Sequence, residues 1–221
     1  MTRIAVLSDL HLGVGSTVEQ VRELGARVVA AHPELVLITG DLFDRADSGD
    51  AALAAGQALL QQLSDGGRRV LVIGGNHDAE SPLPARLALP RGVHWFGAEH
   101  AETLVLNRLG LAVHGLSVAA RDDDRDPVRL YPQPVAGLLN LGLLHTSLDG
   151  RWSKRACLPT TVEQLCGMPG YDAWLLGHVH GHRVLATQPL VLYPGDSGCA
   201  LLELPPGALA SQWTVTRLEL G

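Results

Sequence analysis

Sulfur is scarce in this chain of 221 residues. Its three cysteines, Cys157, Cys166 and Cys199, are odd in number and lack paired spacing. That excludes a disulfide framework or a cysteine-rich zinc site and reads them as reduced, buried, small hydrophobes. Lysine is nearly absent: Lys154 stands alone among 17 basic residues, which face 23 acidic ones for a formal charge of −6. Such a balance argues against generic attraction to nucleic acid, which draws on basic surface and counterion release, although a local basic groove stays compatible with it. The arginine bias reads as a genomic preference before it reads as a phosphate-binding device. No apolar run approaches the roughly 18 residues needed to span a bilayer. Asp9 and His11 fall where a signal peptide keeps its apolar segment, so a soluble, cytoplasmic protein is expected. Charged residues are only 18% of the chain and apolar ones 46%, which suits a well-filled interior and excludes disorder as the dominant state. The length suits one compact domain over residues 1–221. Aromatic residues are few, and Trp95, Trp152, Trp174 and Trp213 read as core and not as base-stacking platforms.

What is present is a rhythm of short apolar runs. Arg3–Leu7, Leu35–Thr39 and Val70–Ile73 are continuous apolar stretches, the pattern of strands buried on both faces. Between them, Val18–Ala31 carries apolar residues at helical spacing and stops at His32-Pro33. Asp50–Leu63 is rich in Ala and Leu and closes at Gly66-Gly67. This β-α-β-α-β order predicts parallel strands with helical crossovers. Short strands are expected at Val93–Phe96, Thr103–Leu106, Leu111–His114, Asn140–Leu144 and Ala173–Leu176, with a short helix at Thr161–Cys166. Residues 121–134, with the run Asp122-Asp123-Asp124, read as a solvated loop. The last pieces, Val184–Ala186, Leu190–Tyr193, Ala200–Leu204 and Trp213–Leu218, look like an antiparallel meander. The expected sum is an α/β fold: a four-layer αββα sandwich of two mixed β-sheets flanked by helices.

The strand ends carry the chemistry. Asp9-Leu10-His11 follows the first strand, Gly40-Asp41 the second and Gly74-Gly75-Asn76-His77-Asp78 the third. His145 follows Asn140–Leu144, and Gly177-His178-Val179-His180 follows Ala173–Leu176. Ligands of α/β sheets gather beyond the carboxyl ends of parallel strands. Gly-Asn-His-Asp arises by chance in such a composition about once in a thousand chains, and Gly-His-x-His in roughly one of twenty. Singly, each acidic residue or histidine is most often a turn or rim residue; together and in this order they form a constellation.

That order resembles the calcineurin-like metallophosphoesterases, and SDLHLG, ITGDLFD, GNHD, LGLLHTSLDG and LLGHVHGHRVL followed by YPG are most similar to their SbcD-like DNA-repair-exonuclease branch. The resemblance covers residues 3 to about 204. It implies two divalent ions: Asp9, His11, Asp41 and His180 hold the first, while Asp41, with its two oxygens, bridges to a second completed by Asn76, His145 and His178. Two ions roughly 3.5–4 Å apart can share a hydroxide and clamp a phosphoryl group for in-line attack. Mixed imidazole and oxygen ligands suit manganese foremost, with iron or zinc as alternatives. His77 resembles the family histidine that faces the scissile phosphate and stabilises the leaving oxygen. Asp78 either orients that imidazole or caps the following turn.

Other polar residues have blander readings. Asp44 reads as a loop or N-cap residue, His182 as solvated and His114 as a strand-end residue that could edge a pocket. The implied function is phosphodiester hydrolysis on nucleic acid or a nucleotide-like ester, possible substrates being single-stranded DNA or RNA. A phosphomonoesterase is the alternative, and a non-catalytic metal-bound scaffold a further one that the complete ligand set disfavours. Related exonucleases continue into a capping domain and helices for an ATPase partner. No capping domain is expected in this sequence, and the step from Tyr193-Pro194-Gly195 to Asp196-Ser197-Gly198 leaves no room for a longer basic loop, so neither an SbcC-like partner nor processive duplex digestion is expected.

Overall fold

A computed structural model describes residues 1–13, 17–44, 49–150, 156–196 and 198–219. Trp152 and Lys154 lie outside the described residues. The first half alternates strand and helix: β1 (Thr2–Leu7), α1 (Val18–Ala30), β2 (Leu35–Thr39), α2 (Gly49–Ser64), β3 (Arg69–Ile73), α3 (Asn76–Glu80) and β4 (Val93–Trp95). Then follow β5 (Glu102–Leu106), β6 (Leu111–Leu116), β7 (Leu139–His145), α4 (Val162–Cys166), β8 (Ala173–Gly177), β9 (Arg183–Thr187), β10 (Leu190–Tyr193), β11 (Gly198–Leu204) and β12 (Thr214–Glu219).

The strands form two six-stranded sheets, ordered β12-β11-β1-β2-β3-β4 and β5-β6-β7-β8-β10-β9. Each is mixed: β1 to β4 run parallel and so do β6, β7, β8 and β10, with antiparallel strands at the margins. The apolar runs are continuous because both faces of each sheet are covered. Alternate side chains of β1 to β3 (Ile4, Val6, Leu35, Leu37, Leu71 and Ile73) share one core with Val113, Leu141, Leu143 and Leu175 of the facing sheet. The other alternates, including Val36, Ile38, Val70 and Val72, pack under α1 and α2 through Leu24, Val28, Leu59 and Leu63. The outer face of the second sheet buries Leu144, Trp174, Leu176 and Tyr193 beneath Leu165 of α4, Tyr131 and Tyr171. Each such side chain withdrawn from water contributes about 1.5–3 kcal/mol.

Local signals fix the helices. Thr17 opens α1 with a capping box, its hydroxyl accepting from the Gln20 N–H at 3.2 Å while the Gln20 side chain accepts from the Thr17 N–H at 2.9 Å. Past α2, Gly66 and Gly67 both take positive φ and turn the chain toward β3. The expected terminal meander is not formed. β9 and β10 pair in the second sheet, whereas β11 crosses to the first and pairs with β1 and β12. Tyr193-Pro194-Gly195 breaks the pairing, since proline has no N–H for a ladder, and β11 finds the open side of β1. No helix among the described residues is long and apolar enough to cross a membrane.

Candidate metal centre

The carboxyl ends of β1, β2 and β3 in one sheet and of β7 and β8 in the other open on the same rim, and backbone hydrogen bonds lash them together. The Asp9 and His11 N–H groups donate to the carbonyls of Gly40 and Asp41, both at 3.0 Å. The Thr39 hydroxyl reaches the Leu7 carbonyl at 3.2 Å and the Leu176 carbonyl at 3.1 Å, joining the two sheets. The His178 N–H lies 3.2 Å from both oxygens of the Asp9 carboxylate.

These loops are strained. Asp9, His11, Asp41 and His178 all adopt positive φ, at 53°, 45°, 51° and 94°. Such conformations cost side-chain-bearing residues about 1–3 kcal/mol each and persist where the surrounding structure enforces them, commonly at functional sites. Gly40, at φ +104°, packs so tightly that a Cβ there would fall 2.3 Å from His145 Nδ1.

The seven side chains expected from the sequence converge. Asp41 Oδ1 accepts from the His77 N–H at 2.9 Å, leaving Oδ2 to face His145 Nε2 at 3.4 Å and His11 Nε2 at 3.8 Å. Asp9 Oδ1 lies 4.0 Å from both His11 Nε2 and His180 Nε2. Asn76 Oδ1 is 2.8 Å from His178 Nδ1 and 3.2 Å from His145 Nε2. His178 and His180, two residues apart, thus meet different partners, Asn76 and Asp9.

The donor set fits divalent cations. Nitrogen and oxygen ligands about 2.0–2.2 Å from one ion are separated by roughly 3–4 Å, the spacing seen here and too long for most of these pairs to hydrogen-bond. His11 Nε2 is buried with no hydrogen-bond partner among the described residues, a costly state for a polar atom that a cation between Asp9 and Asp41 would relieve. Donor triads within 4.8 Å of one another among the described residues are Asp9–His11–His180, Asp9–Asp41–His145, His11–Asp41–His77 and His145–Cys157–His178. Cys157 donates to the His145 carbonyl at 3.4 Å, and burial pushes its thiol up, so it stays protonated as the small buried residue its sequence context suggests.

Without a cation the cluster holds its charge uneasily. Burial, with Asp41 adding to it, pushes the Asp9 carboxyl up. Burial also pushes Asp41 up, but His145, His11 and His77 outweigh it and hold that carboxyl below the usual range. His145 is raised to about 9, Asp41 and Asp9 overcoming its burial. Burial lowers His11, and burial with His145 lowers His178 to about 3, which keeps both imidazoles neutral, the form in which histidine ligates a metal.

Of the two neighbouring acidic residues, Asp78 follows one of its two sequence readings and Asp44 departs from its own. Asp78 is a cap: its carboxylate accepts from the N–H groups of Gly75 at 2.9 Å, Phe43 at 2.9 Å and Leu42 at 3.1 Å. Burial, then Asp41, raises it to about 7. The residue that meets the His77 ring is Asp44, with Oδ1 2.6 Å from Nδ1. Its only signal in the sequence was the spacing Gly-Asp-x-x-Asp at a strand end. His114 is fully buried, held between Thr103 at 2.8 Å and Asn140 at 3.0 Å, and so lies in the interior and not at a rim. His182 is half-buried, with Nδ1 3.2 Å from the Pro194 carbonyl. Trp174 and Trp213 are core residues, and Trp95 is partly buried against the helices.

Comparison with known proteins agrees with this geometry. The family model described as calcineurin-like phosphoesterase matches residues 2–182. The "uncharacterized metallophosphoesterase YhaO" of Bacillus subtilis is 30% identical over 186 residues, covering 82% of this chain and 45% of its own. The "DNA double-strand break repair protein Mre11" of Methanopyrus kandleri is 26% identical over 203 residues, covering 80% and 44%. The chain thus spans about half the length of the curated relatives it matches. Among solved structures, a dimetal phosphatase from Danio rerio superposes with a TM-score of 0.62 at 12% identity over 97% of this chain and 98% of that one. The NAD nucleotidase of Haemophilus influenzae gives 0.58 at 13% identity, over 98% and 49%. These two likenesses establish the fold.

Proposed function

The chain belongs to the calcineurin-like phosphoesterase family, and from that premise we propose that residues 1–221 form one binuclear phosphodiesterase domain acting on nucleic acid or a nucleotide-like ester. The observation that carries the proposal is the grouping around Asp41. Asp9 gathers His11 and His180, Asn76 gathers His145 and His178, and Asp41 Oδ2 faces both His11 and His145, with His11 Nε2 buried and without a hydrogen-bond partner among the described residues. A divalent pair, when bound, supplies Lewis acidity to the phosphoryl group and to the attacking water. Manganese is the proposed metal, since mixed imidazole, amide and carboxylate donors suit it.

The chain's own residues do the rest. Asp41 is held by the His77 N–H, so Oδ2 is the oxygen presented to both positions. Thr39 fixes the His145 ring through its carbonyl, 2.9 Å from Nδ1, which leaves Nε2 as the coordinating nitrogen. With His77 Nδ1 committed to Asp44, Nε2 is the nitrogen available to the leaving oxygen, where it donates a proton or a hydrogen bond as charge develops. The His77 side chain is 22% exposed, enough for a phosphoryl oxygen to reach it.

Similarity at 26% identity to a DNA double-strand break repair protein supports a diester over a monoester. The charge of −6 favours short single strands or small diesters over a firmly held duplex. The test compares bis(p-nitrophenyl) phosphate with p-nitrophenyl phosphate in Mn²⁺, followed by labelled single- and double-stranded DNA. Faster turnover of the diester is expected, with His77→Ala losing most turnover while keeping its metal. Preference for the monoester refutes the diesterase reading, and full turnover by the variant removes His77 from the mechanism.

A further inference from the structure

His180 differs from the other candidate imidazoles in having little around it. Its side chain is 54% exposed, whereas those of His11 and His145 are 11% and 0% exposed. Packing therefore cannot set its rotamer or choose which ring nitrogen carries the proton. One group does both: the Asp196 carboxylate, whose Oδ2 lies 3.0 Å from His180 Nδ1, while Nε2 faces Asp9.

Asp196 is itself tied down. Its N–H donates to the His180 carbonyl at 3.0 Å, and its own carbonyl accepts from Arg217 Nη2 at 3.4 Å, linking it to β12. Beside it, the Pro194 carbonyl meets His182 Nδ1 at 3.2 Å. Gly195, at φ +82°, allows this approach, because a Cβ there would lie 2.8 Å from the His182 nitrogen and 3.0 Å from the His180 oxygen. The loop after β10 is thus clamped along the loop after β8, and the carboxylate is its contact with the exposed imidazole.

We propose that Asp196 is a positioning residue: it holds the His180 proton on Nδ1 and turns the Nε2 lone pair toward Asp9, selectively strengthening the cation position formed by Asp9, His11 and His180. The inference rests on the binuclear reading above. Carboxylate partners of metal-binding histidines fix tautomer and ring orientation, and their loss typically weakens metal affinity 10–100-fold. Asparagine offers an oxygen that accepts from Nδ1 in the same way, so the role is one of orientation that Asp196→Asn preserves.

The test is calorimetric titration of Mn²⁺ into the metal-free protein. Asp196→Ala is expected to weaken one of two ions 10–100-fold and leave the other within twofold, with Asp196→Asn restoring the weakened ion to within about fivefold. In a His178→Ala background, where the Asp9–His11–His180 position remains, Asp196→Ala should show the full loss; in a His11→Ala background it should show none. Equal weakening of both ions, no weakening in Asp196→Ala, or no recovery in Asp196→Asn overturns the proposal alone. A wild-type protein that binds fewer than two ions overturns the binuclear reading and this proposal together.

Discussion

Gly40→Ala probes how the fold holds the centre. Gly40 leaves β2 at φ +104°, and an added Cβ would meet His145 Nδ1 at 2.3 Å, His145 Cγ at 2.8 Å and Gly75 Cα at 3.0 Å. A side chain at such a φ costs about 1–3 kcal/mol by itself. The His145 ring is fully buried and has its Nδ1 2.9 Å from the Thr39 carbonyl, so it cannot retreat without breaking that hydrogen bond in the interior, about 1–3 kcal/mol more. The total, about 2–6 kcal/mol, lowers the melting temperature by roughly 4–24 °C at about 2–4 °C per kcal/mol for a chain of this size. A displaced ring also draws Nε2 away from Asn76 and Asp41, so Mn²⁺ affinity falls with stability. Gly110→Ala is the control: its φ is +67°, but nothing lies within 4 Å of an added Cβ. It should pay the backbone strain and keep its metal affinity. Thermal melts in chelator and Mn²⁺ titrations on both variants decide the matter; equal losses in the two would refute the close-packing argument at His145.

Two further outcomes follow from the site. Asp44→Ala should lower kcat on a diester about 10- to 100-fold, less than the roughly 10²–10⁴-fold that a positioned acid itself contributes because His77 remains, while leaving Mn²⁺ stoichiometry unchanged; a change under twofold would mean that the 2.6 Å contact with His77 has no catalytic role. In chelator, stability should fall as pH rises from about 7 to about 9. His145, raised to about 9 by Asp41 and Asp9 against its burial, binds its proton more tightly in the folded state than at the unfolded value near 6.5. The contribution is complete below 6.5 and lost through 9. Mn²⁺ affinity should climb over the same window, since cation and proton compete for one lone pair, and a melting temperature that is flat or rising across it in metal-free protein would contradict that sign.

Much of this architecture was legible because the signals were local. Leu35–Thr39 reads as a doubly buried strand from five consecutive residues, and the apolar spacing from Val18 onward marks α1 up to its stop before His32-Pro33. The ligand-type residues were legible because each follows its own strand end. Pairings between distant loops were not. Asp44 and His77 are 33 residues apart, and Asp196 and His180 sixteen; no spacing rule says which imidazole a loop carboxylate will meet. For Asp78 the sequence left two readings open, orienting His77 or capping the turn, and its three N–H donors match the cap. The exchange of β11 into the first sheet was hidden for the same reason, since its hydrogen-bonding partner, β1, lies at the other end of the sequence. His114 looked like a rim residue because Gly115 follows it, yet β6 runs on to Leu116 and carries the histidine into the interior.

The central claim is that two cations share Asp41. Anomalous scattering from crystals grown in Mn²⁺ tests it most directly: two peaks are predicted, one among Asp9, His11, Asp41 and His180 and one among Asp41, Asn76, His145 and His178. A single peak, or none between Asp41 and the imidazoles, would contradict it.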